Sequence, residues 1–247
     1  MSKYIIGITT FSKRFNYIET LLNQIRQFTD LKIMVVINGE KDGDFKEDYR
    51  KKILELCTSI KNVYPIFYLE TRGLSKLWNT LLITSDSDNL LMLNDDIEIH
   101  SSDIFNILDN YVSSSSFKGL TKINGSFSHF IVNKPLMDKI GYFDERLLGF
   151  GEEDGDITYR LLKVGVDVGN IHISNVNNII SNVRHDHVKS GIGKYSKFNR
   201  DYIYNEKYSK NLTSPYRGLF DTPMDQNLSD LDNYPSEKFF IRNKNNL

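Results

Sequence analysis

Short apolar runs alternate with amphipathic stretches through the first half of the chain. Residues 4–8 form an apolar run that stops at the polar pair Thr9 and Thr10, as a buried strand does. Behind it, Ile18, Leu21, Leu22, Ile25 and Phe28 recur at helical spacing, one stripe that a sheet must cover. Ile33–Ile37 predicts a second buried strand, ended by the turn dipeptide Asn38-Gly39. A polar loop follows over 40–47, then a helix over 48–60 with Ile53, Leu56, Cys57 and Ile60 on one side. Residues 64–69 predict a third strand. Leu74, Leu77, Trp78, Leu81 and Leu82 predict another helix, and 90–93 a fourth strand. Ser101 or Ser102 caps the next helix, whose inner face carries Ile104, Ile107, Leu108 and Tyr111.

Strands separated by single helices predict a Rossmann-like, mostly parallel central sheet with helices on both faces, an α/β fold. Ligands in such sheets bind beyond the carboxyl ends of the strands. That rule selects the polar stretches 9–14, 38–43 and 94–98. The first two alone read equally as plain loops. After residue 115 the pattern is less regular: a strand over 126–132, a short helix over Lys134–Ile140, a helix over 156–164 stopped by Gly165, and a strand over 166–173. From about residue 205 the apolar stripe fades. The expected organisation is one catalytic domain over 1–204 and an extension over 205–247, packed on that domain or used for a partner.

Composition narrows the classes of function. The 247 residues are 40% hydrophobic and 26% charged, enough apolar content for a real core. A net charge of -1 supplies no field for holding nucleic acid by counterion release, so no nucleic-acid partner is expected. The single cysteine, Cys57, excludes an internal disulfide and reads as core filler. No apolar run is long enough to span a bilayer, and the expected location is cytoplasmic.

Three clusters carry candidate chemistry. Asn94-Asp95-Asp96-Ile97-Glu98 sets acidic side chains at the end of a buried strand, where carboxylates are costly unless a cation or donors compensate them. A hard divalent ion, Mn2+ or Mg2+, supplies that compensation; a solvated acidic loop reads as well from this motif alone. Gly151-Glu152-Glu153-Asp154-Gly155-Asp156 crowds four carboxylates at a helix start, more than capping needs, between glycines that admit a close ligand. Val183-Arg184-His185-Asp186-His187 offers imidazoles that complete a metal site begun by carboxylates, or an ordinary surface turn. The basic segment 189–195 reads as a flap over a diphosphate or as a plain loop.

Taken in order, these pieces resemble the family 2 glycosyltransferases and their relatives with the GT-A fold, from about Tyr4 to about Tyr195. Thr9-Thr10-Phe11-Ser12, with Arg14 close behind, is similar to the family's first nucleotide-contacting loop. Asn38 stands where the family often places a base-reading Asp. Arg72-Gly73 with Asn79 resembles the segment before the metal motif. Asn94-Asp95-Asp96 resembles Asp-x-Asp with its first Asp replaced. The resemblance implies Asp96 as metal ligand and Asp95 as a partner of ribose or metal-bound water. It also implies Asp154 as catalytic base with Glu153 touching sugar or acceptor. His185, with His187 as second choice, would be a further metal ligand, and Phe143-Asp144-Glu145 is architectural.

The implied reaction is inverting transfer from a nucleotide-sugar donor, a UDP-sugar by default, to a hydroxyl of a glycan or glycoconjugate acceptor. Peripheral membrane association enters only through a lipid-linked acceptor. The competing readings are a catalytically silent sugar-nucleotide-binding subunit and a nucleotidyltransferase. Against the latter, the loop after the first strand has no glycine.

Overall fold

The computed structural model describes residues 3–11, 14–39, 47–179 and 192–208. Contacts divide the described chain into two units, the first within 1–71, 80–134 and 168–183, the second within 72–79, 135–167 and 184–208.

The first unit is built on β1 (Ile5–Thr10), β2 (Ile33–Ile37), β3 (Val63–Phe67), β4 (Asn89–Asn94), β6 (Leu120–Ile123), β7 (Ser126–Asn133) and β8 (Gly169–Ile171), in the order β3-β2-β1-β4-β7-β6-β8. The strands from β3 to β4 are parallel, with Thr10 opposite Ile37 and Thr9 opposite Asn94. Their carboxyl ends therefore come level along one edge of the sheet. β7 runs antiparallel to both β4 and β6, and β6 runs parallel to β8. Two short strands, β5 (Ile97–Ile99) and β9 (Val176–Asn178), pair separately and antiparallel.

Every residue of β1 and β2 is buried, which explains their unbroken apolar runs: a strand covered on both faces has no polar alternation to show. One face packs on α1 (Phe15–Phe28), α2 (Glu47–Ser59) and α4 (Asp103–Val112) through Ile18, Leu21, Leu22, Ile25, Ile53, Cys57, Ile104 and Leu108. Each such side chain contributes about 1.5–3 kcal/mol when fully buried. On the opposite face Leu81 of α3 (Leu74–Thr84) sits so close that a Cβ at Gly7 would lie 3.0 Å from its Cδ1. The α/β architecture with helices on both faces is as predicted.

Several boundaries differ from the sequence expectation. β3 stops at Phe67, leaving Leu69 exposed, and Ile107 of α4 faces outward. The strand expected over 166–173 shrinks to β8, and β5, β6 and β9 were not anticipated. Ser101 rather than Ser102 accepts the hydrogen bond at the start of α4, from Asp103 N at 3.1 Å.

The second unit contains the start of α3, nearly all of α5 (Lys134–Ile140), α6 (Glu153–Lys163), α7 (Ile192–Tyr202) and a π-helical turn, Ile203–Lys207. Its interior sets an ionic network beside apolar residues such as Met137, Ile140, Phe143, Ile157 and Leu161. Lys207, fully buried, bonds Asp144 at 2.9 Å and Asp156 at 2.8 Å. Arg146 pairs with Asp144 through two nitrogens, and Tyr202 and Tyr208 donate hydroxyls to Asp144 and Asp156. Arg160 pairs with Asp156 and donates to the carbonyls of Ile140, Gly141 and Tyr142. Burial alone would raise both carboxyl pKa values; the Lys207 cation with Arg146, and with Arg160, outweighs it and holds both well below the usual range. Among the described residues no helix is long and apolar enough to cross a membrane.

Candidate active site

Two clusters, one in each unit, carry the chemistry. The first lies where β1 and β4 end together. Thr10 donates its hydroxyl to Asp95 Oδ2 at 2.7 Å, and Arg14 reaches Asp95 at 3.2 Å and Asp96 at 3.0 Å. Thr9 is buried with no partner for its hydroxyl. Phe11 contributes its carbonyl, which accepts from the Tyr49 hydroxyl at 2.8 Å. Asn38 is buried beside this loop; its backbone N–H donates to Thr10 O and its side-chain oxygen accepts from Gly39 N.

The acceptors here outnumber the donors. Asn94 Oδ1, Asp95 Oδ1 and Asp96 Oδ1 are buried atoms that no donor satisfies, although Asp95 Oδ1 and Arg14 Nη2 lie within ion-pair distance of their partners without hydrogen-bond alignment. Burial pushes the Asp95 carboxyl up to about 7 against the opposing pull of Arg14 and Thr10. Lone pairs without donors are the environment a hard cation satisfies, so Asn94, Asp95 and Asp96 fit a divalent ion. Among the described residues no three His, Cys, Asp or Glu side chains form a ready cage, so water and ligand oxygens would have to complete the shell.

His129 belongs to this cluster and was missed in the sequence. It stands on β7 opposite Leu93, 3% exposed, with no partner at Nδ1 or Nε2. Burial lowers its pKa to about 4, against the pull of Asp96. The available signal was a polar residue between Phe127 and the core residue Ile131 on one face of β7.

The second cluster is the turn into α6, which begins at Glu153, three positions before the predicted start at 156. Gly149, Gly151 and Glu152 all have positive φ, and a Cβ at Gly149 would lie 2.7 Å from the Tyr195 ring. Asn199 of α7 holds this turn by hydrogen bonds to Leu148 N and to the carbonyls of Leu148 and Gly151. Glu153 is buried; its Oε2 accepts from Gly151 N at 2.7 Å and its Oε1 has no partner. Burial, offset in part by those backbone N–H groups, pushes its pKa up to about 8. Asp154 is exposed, with Oδ1 accepting from Gly155 N at 2.8 Å.

The remaining predicted positions divide. Asn79 is buried and commits its amide to Phe143 N and O and to Glu145 Oε1, a scaffold role. Gly73 admits Leu147, whose carbonyl would lie 2.6 Å from a Cβ there, and half-buried Arg72 precedes it. His185 and His187, with Arg184, lie outside the described residues.

The shape has clear parallels. A mannosyltransferase from Pyrobaculum calidifontis, solved with GDP-Man and Mn2+, superposes with TM-score 0.61 at 13% identity, over 90% of this chain and 67% of that one. Glucosyl-3-phosphoglycerate synthase from Mycobacterium tuberculosis, solved with Mn2+, UDP and phosphoglyceric acid, gives 0.58 at 11% identity, over 87% and 81%. This is a GT-A fold. The 1–349 form of S. aureus TarS gives 0.51 at 17% identity over 71% of this chain; the present chain spans 56% of that form and 36% of another TarS structure. No family model and no curated relative matches the sequence. In the GT-A frame the Asn94–Asp96 cluster occupies the carboxyl edge of the parallel strands, where open α/β sheets take their ligands.

Proposed function

We propose that the chain is a metal-dependent, inverting glycosyltransferase that moves a sugar from a nucleoside-diphosphate donor, UDP by default, to a hydroxyl of a glycan or glycoconjugate. The observation that carries this reading is the set of unsatisfied oxygens on Asn94, Asp95 and Asp96 at the ligand edge of a GT-A sheet. Asp96 is the principal ligand for Mn2+ or Mg2+, with His185 or His187 a further one. When bound, the ion neutralises charge that develops on the departing diphosphate.

The chain's own residues do the rest. Thr9, Thr10, Phe11 and Asn38 line the nucleotide side, and Asp95 holds ribose or metal-bound water. Arg14 releases the carboxylates to the cation and remains near as a charge-assisted donor to phosphate. Asp154 is the base: it takes the acceptor's hydroxyl proton as that oxygen bonds to the anomeric carbon and the bond to the diphosphate oxygen breaks. Such a base contributes about 10²–10⁴-fold. Exposure supports Asp154 over Glu153, because a carboxyl with a pKa near 8 carries its proton at neutral pH and suits hydrogen-bond donation to a sugar. The catalytic body is 1–204 and the extension over 205–247 packs on it from its first residues, where Lys207 and Tyr208 enter the ionic network of the second unit; the protein works in the cytoplasm, reaching a membrane only through a lipid-linked acceptor.

The test is a panel of nucleotide sugars, with and without Mn2+, followed by thermal shift and by release of nucleoside diphosphate. A donor that stabilises the protein only with metal and is turned over supports the reading. Metal-dependent binding without turnover would instead identify a silent sugar-nucleotide-binding subunit, and no binding of any donor would remove both.

A further inference from the structure

The helix that carries Asp154 starts without a cap of its own. Glu152, the residue before α6, makes no side-chain cap hydrogen bond and sits in the left-handed region at φ 76°. A residue other than glycine persists there only where its surroundings fix it. The first helical hydrogen bond, from Asp156 N to Glu152 O at 3.0 Å, depends on that conformation. Asp154 lies inside the ring this bond closes. Asp156 itself is anchored from the far side by Lys207 and Arg160. The stretch just ahead of it must be placed by something else.

Asn199 of α7 does this. Fully buried, it commits its whole amide to the turn: Oδ1 accepts from Leu148 N at 2.7 Å, and Nδ2 donates to Leu148 O at 3.0 Å and to Gly151 O at 2.7 Å. The Gly151 oxygen belongs to the planar peptide that links Gly151 to Glu152, so holding it fixes φ of Glu152. Two other contacts reach the turn. Leu74 N donates to Gly149 O at 2.7 Å, which fixes the chain two residues too early. Arg200 pairs with Glu152 at 2.8 Å, but its side chain is 61% exposed and such a pair holds little. The glycine allows the close seat, since a Cβ at Gly151 would lie 2.4 Å from Ser196 Oγ on α7.

We propose that Asn199 is a positioning residue for the base: by gripping the Gly151–Glu152 peptide it keeps Glu152 left-handed and the first turn of α6 wound, and so aims Asp154 at the acceptor hydroxyl. This rests on Asp154 as the base of the proposed function. The requirement is for an amide. Aspartate keeps the acceptor for Leu148 N but turns a carboxylate oxygen against the carbonyls of Leu148 and Gly151, where only a donor fits. Misplacing a reacting group by about 1 Å costs about 10²-fold in rate. The loss should fall on kcat, because the nucleotide donor is bound by other residues.

The experiment uses the full chain with Mn2+ and the nucleotide sugar that the donor panel identifies, well below the melting temperature of each variant. Asn199→Ala should lower kcat by about 10²-fold and leave KM for the donor unchanged. Asn199→Asp should do the same at neutral pH and, relative to the unmodified protein, regain rate as pH falls, since a protonated carboxyl donates one hydrogen. Tyr202→Phe removes a hydroxyl that α7 gives to Asp144, away from the turn, and should keep kcat. Hydrogen exchange adds a readout that needs no turnover: amides over 148–156 should exchange faster in Asn199→Ala while those over 157–163 stay protected. A kcat near that of the unmodified protein in Asn199→Ala overturns the proposal. So does an equal loss in Tyr202→Phe, or unchanged exchange in the turn. If Asn199→Ala does not fold, the pH profile of Asn199→Asp decides. Faster exchange of the turn in a protein that turns over no nucleotide sugar would retire the transferase reading and leave Asn199 as the clamp of this turn.

Discussion

Replacing Lys207 by Met tests how the second unit is held together. The ammonium is fully buried between Asp144 and Asp156, at 2.9 and 2.8 Å, and joins the segment before α6, the first turn of α6 and the π-helical turn. Breaking a buried ion pair from one side costs about 3–5 kcal/mol, because the partner charge stays behind. Here each carboxylate keeps an arginine, Arg146 or Arg160, so the lower end of that range applies. For a chain of this size about 1 kcal/mol moves the melting temperature by about 2–4 °C, so a fall of about 6–12 °C is expected at pH 7. The pH profile gives a second readout. Both carboxyls are held below their unfolded values, so their contribution is complete above the unfolded pKa near 4 and is lost as pH falls below it. Without Lys207 the depression shrinks, and acid unfolding should begin at higher pH. Circular dichroism melts from pH 3 to 8 measure both. An unchanged melting temperature and acid profile in Lys207→Met would show that the lysine does not stabilise this unit.

Four further outcomes follow from the two clusters. Asp96→Ala should weaken Mn2+-dependent donor binding by at least about tenfold while Asp103→Ala, at the first residue of α4, leaves it unchanged; titration calorimetry with and without EDTA compares them. Asp154→Asn should cut transfer by about 10²–10⁴-fold with donor affinity retained, and a rate near that of the unmodified protein would return Asp154 to a capping role. Glu153 keeps its proton up to about 8 in the folded state but loses it near 4.3 when unfolded, so stability should decline between those values; Glu153→Gln should flatten that decline in melts across the window. Gly151→Ala, at φ 116°, forces a side chain into a conformation only glycine tolerates and against Ser196, and should lower the melting temperature by several degrees.

The parts of the fold that show in the sequence are those whose pattern is local. β1, β2 and β4 are apolar runs because the sheet is covered on both faces, and α1 announces its stripe. The acidic end of β4 was visible for the same reason, as charge abutting an apolar run. β5, β8 and β9 span three residues each, too short for any period to register. The start of α6 was placed late because its crowded acids show where a helix begins but not at which residue, and Glu153 and Asp156 in fact point inward there. Lys207 reads as part of a polar tail, and His129 as one polar residue in a strand. What makes each significant is a partner, or a missing partner, far away in sequence, from Asp144 to Lys207 and from Asp96 to His129. Leu69 and Ile107 err in the opposite sense, apolar residues left at the surface, as is common in folded proteins.

The seven-stranded sheet also sets an order of events during synthesis. Six of its strands, β1 to β4 with β6 and β7, are complete by Asn133, and the last, β8, comes only at Gly169–Ile171. Between them the ribosome must deliver 135–167, which belongs to the other unit. At roughly 5–20 residues per second this leaves an interval of seconds in which β6 has its β7 edge paired and its other edge bare. An unpaired edge is a template for pairing with another chain. Through that interval the nascent sheet ends on β6, and only afterwards does the three-residue β8 replace it as a shorter edge, so faster translation across 135–167 should raise the soluble yield.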